Sequence, residues 1–250
     1  GIFDAADVIV NIANIGGNIL VVGDFDTDGA TSTALALKSL SAMGIENADF
    51  LVPNRFEFGY GLSPELVDVA HRDKNPDLII TVDNGISSIE GVRRAKELGI
   101  KVVVTDHHLP GKELPEADAI VNPCIEHNRF QSPNLAGVGV VFYLMGALRA
   151  RLKEKGWFEE QSLEVPKLAT YLDLVALGTV ADLVVLDENN RRLVHAGLKL
   201  IKTGRGNAGI TALLQQAGKD ISNLTTSDLA FVVAPRLNAA GRMRDMSLGI

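Results

Sequence analysis

Three short apolar runs in the first half of the chain each end in side chains that can bind metal ions. The runs and the residues after them are 19–22 with Asp24, Asp26 and Asp28, 79–82 with Asp83, and 102–105 with Asp106, His107 and His108. A continuous apolar run is typical of a strand in a parallel sheet that is covered on both faces. The carboxyl ends of such strands meet at one edge of the sheet, so the sequence predicts an α/β fold with clustered ligands there.

Helical and strand periods alternate along the first half of the chain, which indicates a doubly wound α/β fold. The predicted helices span 4–15, 30–43, 63–73 and 87–98, and the predicted strands span 18–24, 48–53, 78–83, 101–106 and 118–122. We therefore expect a mainly parallel five-stranded sheet with helices on both faces.

After about residue 133 the strand signals stop and the chain becomes helical. The predicted helices of this part span 135–155, 166–180, 188–202, 207–217 and 226–234. No linker rich in Pro, Ser or Gly separates the two parts. We expect one domain over 1–250, with an α/β sheet part over 1–133 and a mainly helical part over 134–250.

Composition and charge bound the class of protein. Apolar residues make up 46% of the chain and aromatic residues only 5%, which suits an aliphatic α/β interior. The net charge of −7 disfavours a nucleic-acid substrate, but bound divalent ions would cancel two charges each. Cys124 is the single cysteine, and neither a long apolar span nor a signal peptide is visible, so we predict a cytoplasmic protein without membrane segments.

The acidic loop at 24–28 has three possible interpretations. An EF-hand requires a bidentate Glu at its twelfth position, but counting from Asp24 that position is Leu35, so this interpretation is rejected. Capping of a helix that begins near Ala30 would need one Asp, not three. Metal binding is favoured, and hard oxygen ligands indicate Mg²⁺, Mn²⁺ or Ca²⁺.

The other two strand ends strengthen this interpretation. Asp83-Asn84-Gly85 alone would be read as a turn, but Asp83 ends a predicted central strand, where ligands of open α/β sheets collect. Consecutive histidines in an extended segment point to opposite sides, so one of His107 and His108 can bind metal while the other faces a substrate. Asp106 could orient an imidazole by accepting its second N–H.

A glycine pattern in the second half is given no functional role. Residues 204–209 match G-x-G-x-x-G, which in a strand–loop–helix context binds dinucleotides. Here the pattern comes after a helix-like run, so we predict a turn between two helices.

Taken together, these segments resemble the DHH phosphoesterase superfamily and, within it, the RecJ family of single-strand-specific 5′→3′ DNA exonucleases. The similar segments are 21–32, Asp83-Asn84-Gly85, Asp106-His107-His108, 178–182 with Asp182, 55–62 and 235–242. They extend over nearly the whole chain. The sequence departs from the family pattern in one respect. Members of the family normally have a second catalytic domain, which the resemblance leads us to expect beyond these 250 residues.

The resemblance implies a site for two divalent ions. The implied metal ligands are Asp26, Asp28, Asp83, His107 and Asp182, with Asp24 a further ligand or a nearby acid. Asp83 would bridge the ions, His108 would face the scissile phosphate, and these two residues with Asp106 form the implied catalytic set. Mixed carboxylate and imidazole ligands suit Mn²⁺, with Mg²⁺ as a substitute.

The resemblance also implies a substrate and partners. The activity would be hydrolysis of single-stranded DNA from its 5′ end to nucleoside 5′-monophosphates in repair and recombination, by a monomer that works with a repair helicase or a single-strand-binding protein. The candidate substrate-binding residues are Arg55, Tyr60, Arg236, Asn238 and Arg242, and the alternative for each arginine is a solvated surface position. Two rivals stay open: a DHH enzyme for oligonucleotides, cyclic dinucleotides or pyrophosphate, and a non-catalytic relative.

Overall fold

A single parallel sheet forms the centre of the protein. The structure, a computed structural model, describes residues 1–53, 58–126, 128–243 and 246–250. The strands are β1 (Ile19–Gly23), β2 (Ala48–Leu51), β3 (Leu78–Val82), β4 (Lys101–Thr105) and β5 (Ala119–Val121). Their order is β2-β1-β3-β4-β5, and every pair is parallel. The predicted five-stranded α/β fold is confirmed, and its described strands are all parallel rather than mainly so.

The strand order places a switch point at the middle of the sheet. The chain passes from β1 outward to β2, then crosses back over β1 to form β3 on its other side. Connections therefore leave β1 and β3 in opposite directions, and a crevice opens between them at their carboxyl ends. The acidic residues that come after β1 and β3 lie at this crevice.

Helices cover both faces of the sheet: α1 (Ile2–Asn14), α2 (Thr27–Ala42) and α5 (Gly137–Glu154) on one face, and α3 (Pro64–Lys74) and α4 (Ile89–Glu97) on the other. The later helices α6 (Leu172–Ala181), α7 (Glu188–Lys202), α8 (Ala208–Gln216) and α9 (Ala234–Met243) form the helical part, in which α6 packs against α2, α5 and α7. Alternate strand residues point to opposite faces, so Val21 and Ile80 pack toward α1, α2 and α5, whereas Leu20 and Ile79 pack toward α3 and α4. Both faces of the central strands are buried, which explains their continuous apolar runs.

Most predicted boundaries lie within a few residues of the observed ones, with two informative differences. Helix α2 begins at Thr27 rather than at 30, because the Asp26 side chain accepts a hydrogen bond from the Gly29 N–H and caps the helix three residues earlier. The predicted helix over 226–234 is not a separate element. Its first turn, Thr226–Asp228, leads through a π-helical segment, Leu229–Val233, directly into α9.

Pro235 explains this second difference. Proline has no amide hydrogen, so an uninterrupted α-helix would lose a bond at this position, and the irregular segment lies directly before it. The predicted interhelical turn is confirmed: residues 204–207 lie between the end of α7 and the start of α8, and residues 208–209 open α8. Within the described residues, none of the helices has the length and hydropathy of a bilayer-spanning segment.

Candidate metal centre

The segment after β1, which runs into the first turn of α2, supplies three carboxylates that are each held differently. Asp26 caps α2, so the capping interpretation applies to this one residue. Asp24 accepts a hydrogen bond of 2.7 Å from the N–H of Phe25. Asp28 is buried and accepts hydrogen bonds from the N–H groups of Gly137 (2.6 Å) and Val138 (3.0 Å), at the start of α5. The positive end of the α5 dipole thus faces the Asp28 carboxylate.

Asp83 comes after β3 in a backbone conformation that few of the described non-glycine residues adopt. Its φ is +62°, in the left-handed region, which is strained for a residue other than glycine. The hydroxyl of Tyr60 donates to its carbonyl oxygen at 3.1 Å. The Asp83 carboxylate is buried, and within the described part of the chain its Oδ1 has no hydrogen-bond partner.

His107 occupies the centre of the cluster. Its Nε2 lies 3.1 Å from Asp83 Oδ1, 3.5 Å from Asp182 Oδ2 and 4.0 Å from Asp28 Oδ2. The ring bonds to the backbone of Leu135, which leaves Nε2 as the nitrogen that faces the carboxylates. Among the residues described, this Nε2 also has no hydrogen-bond partner. His107 therefore presents a free nitrogen to three acids.

Asp182 reaches the cluster from the helical part, directly after the last residue of α6. Three groups of residues each offer ligand atoms that lie within 4.8 Å of one another inside the group. The groups are Asp83, His107 and His108; Asp28, His107 and Asp182; and Asp24, Asp26 and Asp83. Asp83 and His107 each belong to two groups. The structure thus brings all six predicted metal ligands into one connected cluster; their role as ligands stays a prediction.

His108 and Asp106 form a separate pair beside the cluster. The Nδ1 atom of His108 lies 2.7 Å from Asp106 Oδ1. Asp106 is buried, and it also accepts hydrogen bonds from the N–H groups of Ile86, His107 and His108. Asp106 therefore acts on the orientation of His108, while the His108 ring is half-buried at the surface of the site.

Burial and mutual repulsion dominate the electrostatics. Burial, with the charge of Asp26, raises the pKa of Asp24 to about 7, and burial raises that of Asp182 to about 6. The pKa values of Asp28 and Asp83 are well above the usual value, because these carboxyls are buried beside one another and beside other acids. Protons or cations must balance this charge.

The two histidines are shifted in opposite directions. Burial, followed by the charge of His108, lowers the pKa of His107 to about 4, so its ring is neutral at pH 7. The hydrogen bond to Asp106 raises the pKa of His108. Burial alone would raise the pKa of Asp106, but the bonds from His108 and Ile86 outweigh burial and lower it. One neutral imidazole thus faces the acids and one more basic imidazole lies beside them.

The residues fit divalent cations. Asp83 Oδ1 and His107 Nε2 are both buried, lack hydrogen bonds within the described residues and face each other at 3.1 Å. The lone pairs of these two atoms repel each other in this arrangement. A cation bound between them and the neighbouring acids removes the free-energy cost of that repulsion. Oxygen and imidazole donors together suit Mn²⁺ or Mg²⁺.

The predicted substrate-binding residues have different surroundings. Tyr60 is 52% exposed, and its hydroxyl lies 3.2 Å from His108 Nδ1. Asn238 contacts the protein itself: its Oδ1 accepts hydrogen bonds from the N–H and the hydroxyl of Thr27. Arg236 is exposed and donates to the carbonyl oxygen of Val232. Arg55 lies outside the described residues, and so does the side chain of Arg242, whose backbone belongs to α9.

Two glycines that were not among the predicted site residues shape the cluster. A Cβ atom on Gly137 would lie 2.6 Å from both Cβ and Oδ1 of Asp83. A Cβ atom on Gly178 would lie 2.7 Å from Asp28 Oδ1. Only residues without a side chain allow α5 and α6 to approach the carboxylates this closely. The sequence signal that could have identified these two residues was the presence of glycine inside predicted helices.

The chain belongs to the DHH family, because it matches the N-terminal domain of that family over residues 18–179. The single-stranded-DNA-specific exonuclease RecJ of Escherichia coli (strain K12) is 56% identical over 250 residues, which cover 100% of this chain and 43% of that protein. This chain thus spans less than half the length of that curated relative. The resemblance to RecJ predicted from the motifs is confirmed.

Solved structures of RecJ share the fold. One of exonuclease RecJ bound to manganese has a TM-score of 0.83 at 34% identity, and the match covers 99% of this chain and 59% of that chain. One of RecJ from Thermus thermophilus in complex with Mg²⁺ has a TM-score of 0.61 at 28% identity, covering 99% of this chain and 30% of that chain. These relatives of the same fold bind manganese in one structure and Mg²⁺ in the other, which are the two kinds of ion predicted from the sequence.

Proposed function

We propose that this chain is the metal-binding catalytic domain of an exonuclease that hydrolyses single-stranded DNA from the 5′ end. The observation that carries the proposal is the contact between Asp83 Oδ1 and His107 Nε2, two buried atoms without hydrogen bonds in the described part of the chain. The proposal is also supported by the 56% identity of this chain to a single-stranded-DNA-specific exonuclease.

The cluster would hold two divalent ions, Mn²⁺ or Mg²⁺. The ligands proposed for them are Asp26, Asp28, Asp83, His107 and Asp182, with Asp83 shared and Asp24 in support. Two bound ions lower the pKa of a bound water and stabilise the charge that develops in phosphoryl displacement.

The remaining residues would position and protonate the substrate. Asp106 fixes His108 through Nδ1, so the other nitrogen of the ring is available to a phosphate oxygen. The hydrogen bond to Asp106 raises the pKa of His108 and so favours the protonated ring, which can donate a hydrogen bond to the scissile phosphate. The ring of Tyr60, half exposed beside His108, can stack on a base.

The products would be nucleoside 5′-monophosphates, released in repair and recombination. We place the chain in the cytoplasm as a monomer, and expect a helicase or a single-strand-binding protein to supply its substrate. The only cysteine, Cys124, is a free thiol, which suits a reducing compartment.

Digestion of single strands labelled at either end would test the proposal. With Mn²⁺ present, the first product from 5′-labelled DNA should be a labelled mononucleotide, whereas 3′-labelled DNA should shorten gradually. Asp83→Ala should abolish both reactions. Asp49→Ala is the control, because Asp49 lies on the edge strand β2 in an exposed ion pair with Lys74. Preferential hydrolysis of cyclic dinucleotides, short oligonucleotides or pyrophosphate would contradict the proposal, as would Mn²⁺ binding without hydrolysis of any of them.

A further inference from the structure

The side chain of Asn84 joins the ends of the two strands that lead into the metal centre. Asn84 is 1% exposed, and its Nδ2 donates to the carbonyl oxygens of Val22, at 3.1 Å, and Val82, at 2.9 Å. Val22 is in β1 and Val82 is the last residue of β3. One amide thus extends the β1–β3 ladder beyond its last backbone pair.

This amide lies at the point where two acidic loops leave the sheet. The last paired residues of β1 and β3 are Gly23 and Val82. Asp24 comes directly after the first and Asp83 directly after the second, so the Asn84 amide lies where the two ligand loops separate. Asp83 also has a left-handed backbone, which needs support from its surroundings.

Neighbouring contacts hold Asn84 itself and the next strand. The hydroxyl of Thr81 donates to the carbonyl oxygen of Asn84 at 2.7 Å. On the other side, the hydroxyl of Thr105, at the end of β4, donates to the carbonyl oxygen of Thr81 at 2.7 Å. Three strand ends are therefore linked by side chains, and among these contacts only the Asn84 link joins β1, which leads to Asp24, with β3, which leads to Asp83.

We propose that Asn84 is a positioning residue that fixes Asp83 relative to the carboxylates of the Asp24–Asp28 loop, and thereby allows Asp83 to bind two ions together with them. The inference rests on the proposed metal centre. Loss of the amide would let β1 and β3 separate at this edge and let the strained Asp83 backbone relax, which would lower affinity for the second ion more than for the first.

Asn190 offers a closely matched control. It is also fully buried, its Nδ2 also donates to two carbonyl oxygens, those of Asn134 (2.6 Å) and Val185 (2.9 Å), and its Oδ1 likewise has no partner within the described residues. Asn84→Ala and Asn190→Ala therefore delete the same chemistry from equally buried places. Of the two residues, only Asn84 lies between the ends of β1 and β3, which lead into Asp24 and Asp83.

The experiment is Mn²⁺ titration of the wild type and both variants, by calorimetry and by electron paramagnetic resonance, at a temperature where circular dichroism shows each to be folded. We expect Asn84→Ala to lose at least tenfold in affinity for the second ion and to lose the spectral coupling between two ions. Asn190→Ala should keep both while losing similar thermal stability. Wild-type behaviour of Asn84→Ala, or equal losses in both variants, would overturn the inference but leave the metal centre in place.

Two further outcomes are informative. If Asn84→Ala does not fold, Thr81→Val removes only the hydroxyl that holds the Asn84 carbonyl; it should weaken the second site in the same direction, and Thr81→Ser should restore it. Identical titrations for those two variants and the wild type would count against the inference. A wild-type chain that binds no Mn²⁺ would overturn the proposed metal centre and this inference together.

Discussion

The Nε2 atom of His107 lies 3.1 Å from the Oδ1 atom of Asp83, and neither atom makes a hydrogen bond within the described residues. His107 is neutral at pH 7, because burial and the charge of His108 lower its pKa to about 4. A neutral imidazole nitrogen and a carboxylate oxygen both carry lone pairs, so they attract each other only through a shared cation or proton. Substitutions at this contact, or at the groups that hold it, should therefore change metal binding and hydrolysis together.

Asp83→Ala should abolish hydrolysis while the fold is retained. Asp83 belongs to two of the three ligand groups, so its loss affects both proposed ions. We expect turnover to fall by roughly a thousandfold or more, since bound ions contribute several kcal/mol to phosphoryl transfer. Steady-state kinetics with circular dichroism would measure it, and near-normal turnover would refute the proposed role of Asp83. Removal of one charge from a crowded acidic cluster should also raise the thermal midpoint of the metal-free protein.

The metal-free chain should be more stable at pH 6.5 than at pH 8. Burial raises the pKa of Asp24 to about 7 in the fold, so the folded state binds a proton that the unfolded state releases in this range. Stability therefore rises as the pH falls from 8, by about 1 kcal/mol from this group, or roughly 2–4 °C in the thermal midpoint. His107 opposes this trend, because its pKa is lowered to about 4 in the fold and the unfolded state therefore binds a proton first as the pH falls toward about 6.5.

Differential scanning calorimetry with and without Mn²⁺ would measure this dependence. Because protons compete with the ion for the same carboxylates, Mn²⁺ should stabilise the chain more at pH 8 than at pH 6.5. A metal-free midpoint that rises between pH 6.5 and 8 would contradict the burial of these acids.

Gly137→Ala should weaken metal binding, and Gly146→Ala on the same helix should not. A Cβ atom on Gly137 would lie 2.6 Å from Asp83 Oδ1, so Asp83 or α5 must move. We expect at least a tenfold loss of Mn²⁺ affinity, seen by calorimetry. A Cβ atom on Gly146 meets nothing within 4 Å, so this variant should keep full affinity and gain up to about 1 kcal/mol of stability from helix propensity. Equal affinities in the two variants would refute close packing at Gly137.

Asp106→Asn should lower the pKa of His108. The hydrogen bond to Asp106 and its charge raise that pKa, and asparagine keeps the shape but not the charge. Nuclear magnetic resonance titration of the His108 ring would show the midpoint move to lower pH. Tyr60→Phe is the control: it removes the hydroxyl that lies 3.2 Å from Nδ1 but leaves the Asp106 charge in place. A larger downward shift from Tyr60→Phe than from Asp106→Asn would contradict this assignment.

The sheet was predictable because its strands are buried on both faces. Residues 19–22, 79–82 and 102–105 are apolar except for Thr81 and Thr105, and turn residues bound them, so both the strands and their parallel arrangement could be predicted. The clustering of the acids was predictable from the same pattern, since the ends of parallel strands share an edge. Asp182 was placed only by resemblance, because no strand precedes it.

Long-range contacts were not predictable from local patterns. The bond between Asn238 and Thr27 joins residues 211 positions apart, and the start of α5 holds Asp28 from 109 positions away. From the sequence, Asn84 was interpreted as part of a turn. The Asn84 amide bonds to the carbonyl of Val82, two residues earlier, and to that of Val22 on another strand, and the sequence does not show the second bond. Packing decides which polar groups meet, and periodicity carries no information about it.

Asp28 binds the first turn of α5 with both of its carboxylate oxygens, and α5 runs from there through the core for 18 residues. The centre is thus assembled from segments that are distant in sequence, and these must be in place before any ion meets a complete ligand set. Loop closure on this scale is slow compared with local helix formation. Ion binding should therefore follow folding rather than nucleate it, so a chelator should inactivate this chain without unfolding it, unlike a zinc finger, whose fold depends on its metal.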